Sequence, residues 1–163
     1  MQNKEAHMEL KKTIYNRRSI RKYIDIDVPN KLIEDLINCA RVAPSAKNRQ
    51  PWKFLIAKKE IKNRIADLML EKEENRDTRD ISLERKKLNA NSSVIATAQT
   101  IKQAPILILV FKQNNDKWIT GDTLSIGGAI EHICLRATDL GLGSLWIRDT
   151  VYARKRNSKI SKL

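Results

Sequence analysis

Arg17-Arg18-Ser19-Ile20-Arg21-Lys22-Tyr23 is the stretch around which the rest of the chain is arranged. Three arginines and a lysine within seven residues supply fixed, charged hydrogen-bond donors, and Ser19 adds a hydroxyl, so a phosphate or another anion is the natural ligand. The plain alternative is a solvated basic turn. A preceding segment from Glu5 to Asn16 reads as a helix with Met8, Leu10 and Ile14 as sparse apolar positions. It would deliver the basic run to the surface of a core.

Downstream, Ala43-Pro44-Ser45-Ala46-Lys47-Asn48-Arg49-Gln50-Pro51-Trp52-Lys53-Phe54 connects an amphipathic helix to an alternating apolar run. Leu32, Ile33, Leu36, Ile37 and Ala40 recur at helical spacing up to Pro44, and Trp52, Phe54 and Ile56 then alternate as a strand. Two prolines stiffen the loop, and Ser45, Asn48 and Gln50 offer hydroxyl and amide groups suited to a planar heterocycle. A third stretch, Gly141-Leu142-Gly143-Ser144-Leu145-Trp146-Ile147, follows the longest predicted helix.

In order and separation the three stretches resemble the signature of the FMN-dependent nitroreductase family over roughly residues 8 to 152. The resemblance implies an α+β fold: a three-layer α-β-α sandwich with a central mixed, mainly antiparallel sheet, in an intertwined homodimer. It implies FMN as cofactor and NADH or NADPH as electron donor, with a nitroaromatic, quinone or similar small molecule as acceptor in a ping-pong cycle. Arg17, Arg18 and Ser19 would hold the phosphate and ribityl chain, and Arg21 would approach the N1 and C2 carbonyl edge of the ring. Pro44, Ser45, Ala46, Asn48 and Gln50 would come from the second subunit. Trp146, Ile147 and Arg148 would run their backbone along one ring edge, although Trp146 alone reads equally well as core. No protein nucleophile is required, since the cofactor carries the redox chemistry.

The remaining elements follow from periodicity. Ile61, Ile65, Leu68 and Met69 mark a helix. Residues 71 to 87 hold 12 charged residues of 17 and read as a mobile, solvated segment. Asn91 can cap a helix to about Gln103, with Val94, Ile95, Ala98 and Ile101 inward. Pro105 to Phe111 is apolar on both faces and is expected to be the central buried strand. Asp122 or Thr123 is expected to open the longest helix, in which Leu124, Ile126, Ala129, Ile130, Ile133, Cys134, Ala137 and Leu140 carry the apolar period. Gly127-Gly128 would admit a close neighbour, either from a partner subunit or from the same chain. Gly141 would end the helix in a left-handed conformation, and residues 144 to 147 would form a short buried strand.

A length of 163 residues with 41% hydrophobic content agrees with one globular domain spanning 1–163. The longest apolar run is too short to span a bilayer, and the first twelve residues lack a signal-peptide core, so a cytoplasmic protein without membrane association is expected. Cys39 and Cys134 read as buried structural thiols. Without a cluster of Cys and His or paired acids, neither a metal site nor a hydrolytic triad can be argued. Of the net charge of +13, five charges fall in residues 151–163, which hold no acid, leaving +8 spread along residues 1–150. Aromatic residues are not interleaved with that charge, so nucleic acid is not the expected partner.

Residues 154–163, Arg-Lys-Arg-Asn-Ser-Lys-Ile-Ser-Lys-Leu, form an atypical basic tail where the family continues with an acidic amphipathic helix and a last strand. Back-translation of Ala153 to Leu163 with one adenine removed can read Ala-Glu-Arg-Glu-Ile-Ala-Lys-Tyr-Leu-Asn, so the tail is compatible with a frameshift. Two rivals to the oxidoreductase therefore stand at this level: a catalytically silent flavin-binding truncated homologue, and a basic nucleic-acid-binding protein.

Overall fold

The structure is a computed structural model that describes residues 9–74, 93–113 and 116–148. Its helices are α1 (Leu10–Asn16), α2 (Asn30–Arg41), α3 (Lys59–Glu74), α4 (93–103) and α5 (Ile119–Asp139), and its strands are β1 (Trp52–Lys58) and β2 (Ile106–Lys112). The strands form an antiparallel pair, with the Gln113 N–H extending the ladder to the Pro51 carbonyl oxygen at 2.8 Å. The mixture of helices and antiparallel strands is the α+β class that the sequence predicts. The predicted N-terminal extension of α1 to Glu5, the Asn91 cap, most of the charged segment and the basic tail lie outside the described residues.

Two compact units divide the described chain. The first holds 9–21, 27–56, 108–113 and 116–146; the second holds 22–26, 57–74, 93–107 and 147–148.

In the first unit, α2 buries Ile33, Leu36 and Ala40, the inner members of the predicted period. Val42 caps the helix C-terminus, and Pro44 follows, a residue that cannot continue a helix. Leu36, Ala40, Ala43 and Trp52 pack with Ala129, Ile133 and Ala137 of α5, and Phe54, Ile108 and Val110 close the cluster. Alanines at Ala40, Ala129 and Ala137 let the two helix backbones approach closely, which burial of larger side chains would prevent. Arg136 braces the pair from the edge: its Nε donates to Asp35 Oδ2 across 2.6 Å and its Nη1 to Asp139. At the end of α5, Gly141 has φ +72, the Leu142 N–H reaches the Ala137 carbonyl oxygen and the Gly141 N–H that of Thr138. This double bond pattern satisfies two terminal carbonyls and explains why a glycine stands there.

In the second unit, Ala66 and Met69 of α3 pack on Ala98 and Ile101 of α4, joined by Leu70, Val94, Leu107 and Ile147. Lys62 is buried, and its ammonium donates to the Ile101 and Lys102 carbonyl oxygens at 2.8 and 2.6 Å. Those carbonyls belong to the last turn of α4, so the lysine caps that helix and meets the negative end of its dipole. Burial lowers the Lys62 pKa, and the Asp25 carboxylate acts in the opposite direction.

Several expectations are corrected. β2 is partly exposed along its whole length, because its only strand neighbour among the described residues is β1. Residues 144–147 form no strand; a single parallel bridge joins Ser144 to Ser19. Helix α5 begins at Ile119, after a 3-10 turn at Asp116–Trp118, because Asp122 is consumed as a buried ion-pair partner rather than as a cap. Ile61, Ile95 and Leu124 are exposed although their spacing placed them inward, and Cys39 is only partly buried. The neighbour of Gly127 is the Trp146 ring rather than a backbone, and Gly128 faces open space within the chain.

Candidate functional site

The basic run leaves α1 where Arg17 turns extended, its own N–H still bonded to the Thr13 carbonyl oxygen at 3.0 Å. The run is then held as an extended segment beside residues 143–144: Ser19 pairs with Ser144, and the Ile20 N–H donates to the Ser144 carbonyl oxygen at 2.9 Å. Gly143 makes this approach possible, since a Cβ there would lie 2.9 Å from Ile20 Cγ2.

The guanidinium groups are held by short-range bonds that leave donors to spare. Arg18 Nη1 donates to the carbonyl oxygens of Tyr15 and Arg17 at 2.6 and 2.8 Å, and Arg21 Nη1 reaches that of Ser19 at a long 3.3 Å. Arg17 Nε stands 3.9 Å from Glu131 Oε1 on α5, an exposed pairing of small energetic weight. Each guanidinium carries five N–H donors, so the run presents a positive, hydroxyl-bearing rim to solvent. This donor set fits a phosphate.

The polar loop is more tightly determined. Lys47, Asn48 and Gln50 have φ values of 56°, 52° and 45°, left-handed conformations that an asparagine adopts readily but that cost Lys47 and Gln50 about 1 to 2 kcal/mol each. Ser45 supports them twice: its carbonyl oxygen accepts from the Asn48 N–H at 2.9 Å, and its Oγ accepts from the Gln50 N–H at 3.0 Å. Gln50 Nε2 donates to Asn48 Oδ1 at 3.2 Å. The first turns of α5 anchor the same loop. The Ala46 N–H donates to Ser125 Oγ at 3.2 Å, and the Arg49 fork spans both oxygens of Asp122 at 3.1 and 3.2 Å. Asp122 is fully buried, so the fork is the partner that keeps its charge tolerable. Lys47 Nζ and the Arg49 guanidinium lie 4.7 and 5.4 Å from the Trp118 ring centre.

Pro44, Ala46, Asn48 and Gln50 remain exposed and Ser45 half-buried, so this face of the loop is open to a ligand. Trp146 is half exposed, with its ring edge against Gly127, which rules out the plain core reading within this chain. In the second unit, Ile147 packs into the apolar cluster of α3 and α4, and Arg148 is exposed. The first unit therefore carries two separate groups. The basic run meets α5 at Glu131 and the polar loop meets it at Asp122, nine residues or about 13 Å apart along the axis.

Sequence reading missed Asp122, Ser125 and Arg49 as members of this arrangement. An aspartate and a serine three apart near the start of a helix signal capping, and only a packed partner turns them inward. Among the described residues no three or more His, Cys, Asp or Glu side chains gather as a metal cluster, and no helix is long and apolar enough to cross a membrane.

Residues 14–162 match the family model described as the nitroreductase family, a span that includes most of the basic tail. A protein of Archaeoglobus fulgidus with the provisional name NADH dehydrogenase/NAD(P)H nitroreductase is 32% identical over 93% of this chain and 72% of its own length. A BluB-like flavoprotein from Clostridium difficile 630 is 29% identical, covers 90% of this chain and 77% of that one, and superposes with a TM-score of 0.69. A nitroreductase with bound FMN from Desulfitobacterium hafniense DCB-2 covers 99% of this chain and 80% of that one at a TM-score of 0.76, and at 21% identity it speaks for the fold alone.

Proposed function

The chain belongs to the nitroreductase family, and we propose that it is an FMN-dependent oxidoreductase that takes reducing equivalents from NADH or NADPH and delivers them to a nitroaromatic, quinone or similar small acceptor. FMN, when bound, supplies the two-electron relay between donor and acceptor. Everything else is binding, orientation and electrostatics from the chain.

Arg17, Arg18 and Ser19 hold the phosphate end, where fixed guanidinium donors and a hydroxyl match a tetrahedral dianion. Arg21 lies two residues farther along the extended segment and would supply positive charge to the flavin ring, which would favour its reduced, anionic form. Pro44, Ser45, Ala46, Asn48 and Gln50 would present backbone and amide groups to the ring, and the backbone of Trp146, Ile147 and Arg148 would contribute to its binding. Donor and acceptor would bind in turn rather than together, in a ping-pong order.

The single observation that carries this reading is the separation of two prepared groups on one helix, an exposed arginine rim at Glu131 and a strained polar loop at Asp122. We place the loop of one subunit against the basic run of a second in a cytoplasmic homodimer. In favour of that assembly, Leu10 and Ile14, one turn apart on α1, are both exposed, as is Leu124 on α5.

Absorbance of the purified full chain with added FMN, before and after NADH or NADPH without oxygen, tests the proposal. A shifted flavin band that bleaches with donor and returns with a quinone or nitroaromatic supports the oxidoreductase. A shifted band that no donor bleaches assigns the chain as a silent flavin binder. No shift at all overturns flavin binding.

A further inference from the structure

We infer that Asp122, a buried carboxylate on α5, is a positioning residue for the flavin-facing loop, acting through Arg49 to set the backbone of residues 45–50. The inference rests on the reading of that loop as part of the flavin site. Asp122 itself is fully buried and acts only through Arg49.

Three left-handed residues bearing side chains persist within four positions only if their surroundings over-determine them. The bonds from Ser45 to Asn48 and Gln50 are internal to the loop and move with it. Two anchors tie it to something rigid, and both lie on the same helix within one turn: Asp122 to the Arg49 fork, and Ser125 Oγ to the Ala46 N–H. Ser125 is held in turn, since its hydroxyl donates to the Gly121 carbonyl oxygen at 2.7 Å and is thereby oriented to accept from Ala46. Arg49 follows Asn48 and precedes Gln50, so anchoring its guanidinium restrains the backbone from which the two flanking amide side chains project. The Trp118 ring, just ahead of α5, adds a second surface for the Arg49 and Lys47 cations. A fork of two parallel bonds constrains orientation as well as distance, which a single lysine bond would not.

The test uses the full chain and three readouts: FMN dissociation constant, visible circular dichroism of the bound flavin, and thermal midpoint. Asp122→Asn keeps the shape and removes the charge-assisted fork; Ser125→Ala, a small change at the second anchor, serves if the first variant fails to fold. Binding is measured in the cold, well below each variant's midpoint, so that loss of folded protein does not enter. We expect Asp122→Asn to weaken FMN binding by about tenfold and Ser125→Ala by several-fold, both with an altered flavin dichroism band. Wild-type affinity and an unchanged band in a folded variant of each overturn the inference and leave the ion pair as ordinary packing. Failure of the wild-type chain to bind FMN is a different result, and removes the flavin reading itself along with this inference.

Discussion

Among the described residues, Arg21 holds its place with one long hydrogen bond, from Nη1 to the Ser19 carbonyl oxygen at 3.3 Å. A guanidinium so weakly engaged gives up little when it turns to an anionic edge, whereas Arg18 spends Nη1 on two short carbonyl bonds that shape its own turn and keeps its remaining N–H donors for an anion. Replacing Arg21 with alanine should therefore weaken FMN binding and lower the flavin midpoint potential, by the worth of one charge-assisted bond, about 1.5 to 3 kcal/mol. Flavin retention and potential equal to wild type would remove Arg21 from the site. The thiols make a second prediction at this scale. Cys134 is buried, and its thiol pKa is raised by that burial more than the Ser144 hydrogen bond lowers it; Cys39, partly buried, is raised by burial and by the Asp35 carboxylate. Reaction requires the thiolate, so mildly alkaline iodoacetamide should label neither residue quickly in the native chain and both on unfolding, as read by mass spectrometry. Fast native labelling of Cys134 would mean that its packing is not as described.

Between elements, close approaches decide more than propensities do. The bridge between the basic run and the segment after α5 depends on Gly143, where an added Cβ would lie within 3.2 Å of three Ile20 side-chain atoms. Ile20 is branched at Cβ and has little freedom to withdraw. Gly143→Ala should cost about 1 to 3 kcal/mol and should weaken FMN binding with it, because Ser19 rides on the same bridge. Adding Ile20→Ala should recover much of the lost melting temperature; if it recovers none, the contact with Ile20 is not the cause. In the second unit, Lys62→Met would strip two carbonyl oxygens at the end of α4 of their donor. A loss of about 1 to 3 kcal/mol is expected, with faster amide exchange in the last turn of α4 than in α5. Unchanged exchange there would show that water replaces the lysine without cost.

For the whole molecule, the decisive question is whether the proposed dimer takes the loop from the second chain. The basic run and the loop reach α5 about 13 Å apart on one chain, a spacing that a shared site between two chains accommodates. Mixing an Arg17→Ala chain with an Asn48→Ala chain then gives some dimers with one undamaged site and one doubly damaged site. Partial return of NADH-dependent activity is the expected outcome, and its absence after verified subunit exchange would assign both residues to one subunit's site or to none.

What the sequence determined by itself is the local order. Apolar spacing placed α2 and β1, and Gly141 marked the end of α5, because these features depend on the 3.6-residue period, the two-residue period and a backbone angle that a glycine relieves. The order and separation of three short stretches, one basic, one polar and one glycine-rich and apolar, were enough to name the family. Only the tertiary structure decided which polar residues face inward and which apolar ones do not. Asp122 and Lys62 carry charges that no single-chain pattern would bury, and each is inside because a partner distant in sequence, Arg49 in one case and the carbonyls of α4 in the other, compensates its lost hydration. Leu124 has the right period for a core position and lies exposed, since periodicity names a face of a helix and only packing determines whether anything covers it.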